Sequence, residues 1–203
     1  MEIIDISKDL LKTPVYPGDP EGYVDHVQSL RAGDHCNLNS VYTCLHTATH
    51  VDAPLHFIEG GKTIEKFPPD LFIGECVVVE APPGPITGAY AEENFPWQDC
   101  ERLLIKGNGL SYLMESSAYY IVDSGVKLVG TDASSIGNHG SNQVIHRAIL
   151  SADIPILEGL DLSEVEPGRY FLMAQPLKIS GVEAAPCRAV LVKDHLFWSG
   201  SRN

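Results

Sequence analysis

Short, β-branched apolar runs recur along the chain, and two stretches carry helical spacing between them. Residues 75–80 read as a buried strand, being continuously apolar between two glutamates. Residues 102–106 and 126–130 have the same character. Between those two, residues 113–124 bring Leu113, Tyr120 and Ile121 to one helical face, and Gly125 suits a C-terminal cap. A strand–helix–strand unit of this kind favours parallel pairing. A second helix is predicted over residues 142–152, followed by a short strand at 154–157 and late strands at 170–179 and 188–193. The N-terminal part holds turn-rich strands such as 37–45, and the Pro/Gly-rich segment 81–88 reads as a surface loop. The pieces predict a mixed α/β fold: a mixed central sheet with a smaller antiparallel layer, built as one domain over residues 1–203.

Charge narrows the partners. With 14 basic against 27 acidic residues the net charge is −13, a surface that repels nucleic acid and anionic membrane. No apolar run approaches the roughly 20 residues needed to span a bilayer, and the start of the chain lacks the basic and apolar regions of a signal peptide. The expectation is a cytoplasmic protein; the charge says little about a small-molecule substrate. Five cysteines are dispersed and odd in number, without a C-x-x-C pair, which argues against a disulfide framework and a thiolate zinc site.

The chemistry concentrates in eleven residues, His46-Thr-Ala-Thr-His50-Val-Asp52-Ala-Pro-Leu-His56. Imidazole and carboxylate together suit zinc, manganese or iron(II). In an extended chain these even-numbered positions would share one face. His46 and His50 would then stand about 13 Å apart at ~3.3 Å per residue, too far for one metal ion. The chain must therefore turn at residues 47–49 or wind into one helical turn. A continuing helix is disfavoured by Pro54, which also biases Ala53 to extended backbone, so a strand ending in a tight loop is expected.

One segment cannot enclose an ion. The best complements are His146, on the second predicted helix, and Glu158, at the end of the strand after it. Taken singly, either could be a solvated surface residue. His26, His35, His139 and His195 lie in polar or terminal stretches and read as surface residues, with His139 the nearest to an exception.

The histidine segment resembles the signature H-x-G-T-H-x-D-x-P-x-H of the cyclase family of metal-dependent hydrolases. Residues 5–7, 14–19, 127–132, 144–147, 156–158 and 176–178 resemble further landmarks of that family in the expected order. The resemblance implies a swivelling β/β/α fold, assembled as a homodimer or homotetramer. It implies two divalent metal ions per chain, zinc or manganese, held by His46, His50, Asp52, His146 and Glu158. Two such cations would reverse the local negative field. His56 matches the family's general acid/base, serving a metal-activated hydroxide. The implied activity is an arylformamidase acting on N-formylkynurenine or a related aryl formamide. A hydrolase of a small cyclic amide or ester such as isatin, and a metal-binding protein without catalysis, are the alternatives. Three positions depart from the pattern. Ala48 occupies a glycine position, so a turn of positive φ there would be strained. Tyr16 stands where a substrate-stacking Trp is usual, offering less area. Residues 184–188 are only similar to the family's Gly-Ser-Pro-x-Arg stretch.

Overall fold

The computed structural model describes residues 1–138, 140 and 142–193. The strands are β1 (Glu2–Asp5), β2 (Tyr23–Gln28), β3 (Leu38–Tyr42), β4 (His50–Asp52), β5 (Ile73–Glu80), β6 (Gly84–Ile86), β7 (Arg102–Lys106), β8 (Ser111–Leu113), β9 (Leu128–Thr131), β10 (Ile156–Glu158), β11 (Gly168–Met173), β12 (Ala184–Pro186) and β13 (Val190–Lys193). Three α-helices accompany them among the described residues: α1 (Gly88–Asn94), α2 (Glu115–Asp123) and α3 (Asn142–Leu150). Nine strands form one mixed sheet in the order β1-β13-β11-β5-β7-β9-β10-β4-β12. Its centre, β5-β7-β9-β10, is parallel, and the flanks are antiparallel. Two two-stranded sheets stand apart, β2 with β3 antiparallel and β6 with β8 parallel.

The central strands are apolar throughout because both of their faces are covered. Along β7, Leu104 enters one core while Leu103 and Ile105 enter the other. Val78 against Val77 and Val79 divides in the same way, as do Leu157 and Ile156. The helices close one of these faces: Ala118 and Ile121 of α2 and Ile145 and Ile149 of α3 pack with Val129 and Ile156. Tyr170, Leu172 and Leu191 of the antiparallel flank join Val51 and Leu157 in the other core. No helix among the described residues is long and apolar enough to cross a membrane.

The predicted parallel pairing of β7 with β9 is observed, and the helix over 142–152 is present as α3. Several details differ. Leu113 ends β8 instead of opening α2, so the helix buries Ser117, Ala118 and Ile121. Gly125 does follow its last turn at φ 87°. The expected loop at 81–88 contains β6, whose Ile86 is 1% exposed, and the first residue of α1. Parallel pairing with the distant β8 supplied the hydrogen bonds that its Pro/Gly composition could not announce. The strand expected over 170–179 leaves the ladder at Met173.

The bend in the histidine segment precedes its strand. Residues 43–49 turn, β4 follows, Ala53 is extended at φ −112° and ψ 163°, and Pro54–His56 forms one 3-10 turn. Ala48 adopts φ 58°, the left-handed region that costs a non-glycine residue about 1 kcal/mol. Its surroundings over-determine that conformation. Thr49 Oγ1 donates to the Gly159 carbonyl at 2.6 Å and accepts the Lys8 N–H at 2.8 Å. Gly159, at φ 66°, lies so close that an added Cβ would stand 2.1 Å from the Ala48 carbonyl oxygen.

That contact gives a stability test. Gly159→Ala should lower the unfolding free energy by roughly 2 kcal/mol or more, combining left-handed strain with a backbone clash. Gly33→Ala, at φ 96° with open space around it, should lose about 1 kcal/mol. Urea unfolding of the two variants measures the difference; equal losses would show that the turn yields without cost.

Candidate metal centre

Strand register assembles the centre. Successive side chains on β4 alternate, so His50 and Asp52 point to one face while Val51 enters the core opposite. β10 runs antiparallel beside β4 with Glu158 directly across from His50, and cross-strand partners on one face are neighbours. α3 packs over β10 and delivers His146 from its buried face. His46 arrives from the turn before β4, and His56 from the 3-10 turn after it.

The groups meet around Asp52. Its Oδ1 lies 2.9 Å from His46 Nδ1 and 3.3 Å from His50 Nε2, and its Oδ2 lies 3.4 Å from His146 Nε2. Glu158 Oε1 is 3.1 Å from His146 Nε2, and its Oε2 is 3.7 Å from His50 Nε2. Asp52 has no exposed surface, and His50 and His146 are each 1% exposed. Despite these approaches, both Asp52 oxygens and His50 Nε2 are buried without an aligned hydrogen-bond partner among the described residues. Buried polar atoms are almost always satisfied, so a converging, unsatisfied donor set of this kind fits a divalent cation. Two triads have ligand atoms within 4.8 Å of one another: His46 with Asp52 and His56, and His50 with Asp52 and Glu158.

The surrounding bonds fix which atoms face inward. His50 Nδ1 donates to the Ala48 carbonyl at 3.0 Å, and His146 Nδ1 donates to the Asn142 carbonyl at 2.9 Å. With those nitrogens donating, Nε2 is the atom each ring turns to the centre, and the one that would offer a lone pair to a cation once its proton is displaced. Glu158 Oε1 accepts the Ile136 N–H at 2.7 Å and approaches the Ser135 hydroxyl at 3.4 Å, leaving Oε2 turned towards His50. His46 Nε2 reaches Glu183 Oε1 at 3.3 Å.

Electrostatics separates the imidazoles. Burial works against charge on His46, but the Asp52 carboxylate beside it prevails and raises the pKa to about 9. For His146 burial is again opposed, here by Glu158 and Asp52, and the pKa rises to about 10. His50 is raised in the same way. Asp52 is held well below the carboxylate range, because the surrounding imidazoles outweigh its burial. His56 moves the other way, to about 4: burial dominates, Asp52 offsets it in part, and His46 and His146 add repulsion. Its ring lies 4.1 Å from that of His46 and 5.7 Å from that of His146.

Five of the six residues singled out from the segment, the helix and the strand end line one cavity of about 190 Å3, and the sixth, Asp52, touches three of them. Tyr16 lines the same cavity. Phe57, Asp19, Ser135, Asn142 and Glu183, none of them singled out beforehand, contribute walls or contacts. Only Phe57 and Asp19 had a signal, each adjoining or ending a segment that resembles the family's. His26 and His35 are exposed as expected; His139 and His195 lie outside the described residues. All five cysteines are free, and burial pushes the Cys76 thiol up to about 12, away from reactivity.

Comparison with known proteins bears on the family and the fold. The Cyclase family model matches residues 4–138. Kynurenine formamidase of Salinibacter ruber is 39% identical over 217 residues, covering 94% of this chain and 97% of that protein. Kynurenine formamidase of Erythrobacter litoralis is 35% identical over 203 residues, with 93% of each chain covered. Among solved structures, a predicted metal-dependent hydrolase from Bacillus stearothermophilus superposes with a TM-score of 0.79 at 28% identity, covering 94% of this chain and 97% of that one. Isatin hydrolase A from Ralstonia solanacearum gives 0.80 at 18% identity, with 95% and 92% covered, a likeness of fold alone.

Protons hold the place of cations in the metal-free centre, which sets a sign for metal uptake. At pH 7.5 His46 and His146, with pKa values raised to about 9 and about 10, carry protons that a cation must displace. Zinc binding to metal-free protein should release protons to the buffer. Its apparent affinity should rise with pH between 6 and 9, roughly tenfold per unit for each proton displaced. Calorimetry in buffers of different ionisation enthalpy checks this; proton-neutral uptake would show that the imidazoles are already uncharged.

Proposed function

The chain belongs to the cyclase family, and from that premise we propose that it is a metal-dependent amidohydrolase, an arylformamidase acting on N-formylkynurenine or a closely related aryl formamide. One observation carries the reading: a fully buried, hydrogen-bond-starved carboxylate, Asp52, grouped with His46, His50, His146 and Glu158, four residues that line a cavity. The identity of 39% and 35% to kynurenine formamidases, over nearly their whole length, supports the formamide over a lactam. The likeness to isatin hydrolases carries the fold only.

In this reading residues 1–203 act as one hydrolase domain. His46, His50 and Asp52 would hold one cation and Asp52 and His146 the second, with Glu158 reaching both. Imidazole with carboxylate suits zinc, and manganese as well. Bound there, divalent cations supply Lewis acidity, polarising the scissile carbonyl and making water acidic enough to attack near neutral pH.

His56 supplies the proton transfers. Burial and the positive groups beside it keep its ring neutral at pH 7, so a ring nitrogen can take a proton from the attacking water. The same nitrogen can return it to the aryl amine, which is a poor leaving group as an anion. Tyr16 and Phe57 offer aromatic faces to the substrate ring. Phe57 also stacks its edge on His56, at 4.1 Å between ring centroids, which limits the positions His56 can take. A homodimer or homotetramer is part of the proposal, and the β2–β3 hairpin supports it: Tyr23, Val27, Val41 and Tyr42 are all at least half exposed there.

Two substitutions separate the roles. His56→Gln should leave metal content intact and reduce turnover of N-formylkynurenine by roughly 10²–10⁴-fold. Loss of metal alongside activity would make His56 a ligand, as its grouping with His46 and Asp52 permits, and surviving activity would remove it from catalysis. Glu158→Gln should lower occupancy towards one ion or none per chain by elemental analysis. Unchanged two-ion occupancy would defeat its place as a shared ligand.

A further inference from the structure

The cavity has an outer wall whose charge the hydrolytic chemistry does not use. Beyond the imidazoles and Glu158, the charged side chain lining it is Asp19, and no lysine or arginine accompanies it among the described residues. Asp19 ends a turn in which its N–H donates to the Tyr16 carbonyl at 3.0 Å, so its carboxylate and the Tyr16 ring are presented together at the cavity wall. Tyr16 feels both ends of this arrangement. Burial first, then the negative charge of Glu158 and of Asp19, raises its pKa and keeps the phenol neutral between the two carboxylates.

Asp19 itself is half-buried, and its described side-chain partner is a weak donor, the Cys44 thiol at 3.7 Å. A carboxylate so placed, partly withdrawn from water and facing a ligand-sized space, pairs best with a cationic donor. Tyr16, Ser134 and Ser135 also line a neighbouring cleft of about 260 Å3. Its further polar side chains, among them Ser111 and Asn138, are neutral hydroxyls and amides. An anionic group attached beside a cationic one could lie there, clear of Asp19.

We infer that Asp19 is a specificity-determining residue that pairs with an ammonium group on the substrate. The preferred substrate is then an aryl formamide whose side chain bears a protonated amine, in preference to a neutral lactam or a simple aryl formamide. This rests on the formamidase reading of the centre and deepens it. N-formylkynurenine meets the description, and isatin does not.

The test compares kcat/KM for N-formylkynurenine with that for its analogue in which hydrogen replaces the amino group, using metal-quantified full-length protein. The native protein should favour the amine-bearing compound by roughly ten- to a hundredfold, the worth of one charge-assisted bond. Asp19→Asn should bring that ratio towards one with metal content unchanged, the loss falling mainly on KM. Asp19→Glu should restore part of it, which a merely structural role would not do. A native ratio near one, or a ratio that survives Asp19→Asn, overturns the role of Asp19 while leaving the formamidase reading standing. Failure to hydrolyse either compound overturns that reading, and the inference with it.

Discussion

A carboxylate with no exposed surface stays ionised only where positive charge surrounds it, and Asp52 is such a carboxylate. The rest of the structure answers that constraint. Three imidazoles, from the turn before β4, from β4 itself and from α3, point their nitrogens at its two oxygens. Their elevated affinity for protons records the same demand from the other side. The interior thus has a fixed requirement for cationic charge, and protons and divalent metal ions compete to meet it. No basic side chain has been built in to satisfy it permanently: no lysine or arginine lines the cavity among the described residues.

Holding this centre in place is a matter of register more than of local conformation. A one-residue slip of β4 against β10 would send His50 and Asp52 to the opposite face and bring Val51 out of the core. Val51 and Leu157, facing each other in that core at 0% exposure, stand against such a slip. The left-handed turn at Ala48 serves the same end. It folds His46 back towards Asp52, and the Thr49 and Gly159 contacts on its far side keep it there. Strain of about 1 kcal/mol at Ala48 is small beside the cost of a misplaced buried carboxylate.

How much of this the sequence disclosed follows the range of the interactions. The bend between His46 and His50, the extended Ala53 and the shared face of His50 and Asp52 follow from spacing and from Pro54, all within eleven residues. The parallel pairing of β7 with β9 was readable from the helical stretch between their two apolar runs. The direction of the bend was not: a turn before β4 and one after it leave the same pattern. His146 and Glu158 were legible only as complements, since nothing local distinguishes them from surface residues. Glu183 and Ser135 were silent, because their roles arise where strands or loops distant in sequence meet. β6 was hidden for the same reason, its partner β8 lying 25 or more residues further along.

The sharpest division in the centre is between two imidazoles whose rings lie 4.1 Å apart. His46 touches Asp52 through Nδ1 and Glu183 through Nε2, and is raised to about 9. His56 has no comparable carboxylate contact among the described residues and faces charged rings instead, and it falls to about 4. Opposed shifts in adjacent titratable groups separate a group held charged from one held free to accept a proton. Divalent cations in place of the protons on His46 and His146 would likewise set positive charge beside His56. A ring kept neutral beside concentrated positive charge is a weak base in the resting protein. It becomes a stronger one only when negative charge develops next to it, as happens when water attacks a carbonyl. That is the physical ground for reading His56 as the group that moves protons and its neighbour His46, which touches Asp52 directly, as a ligand.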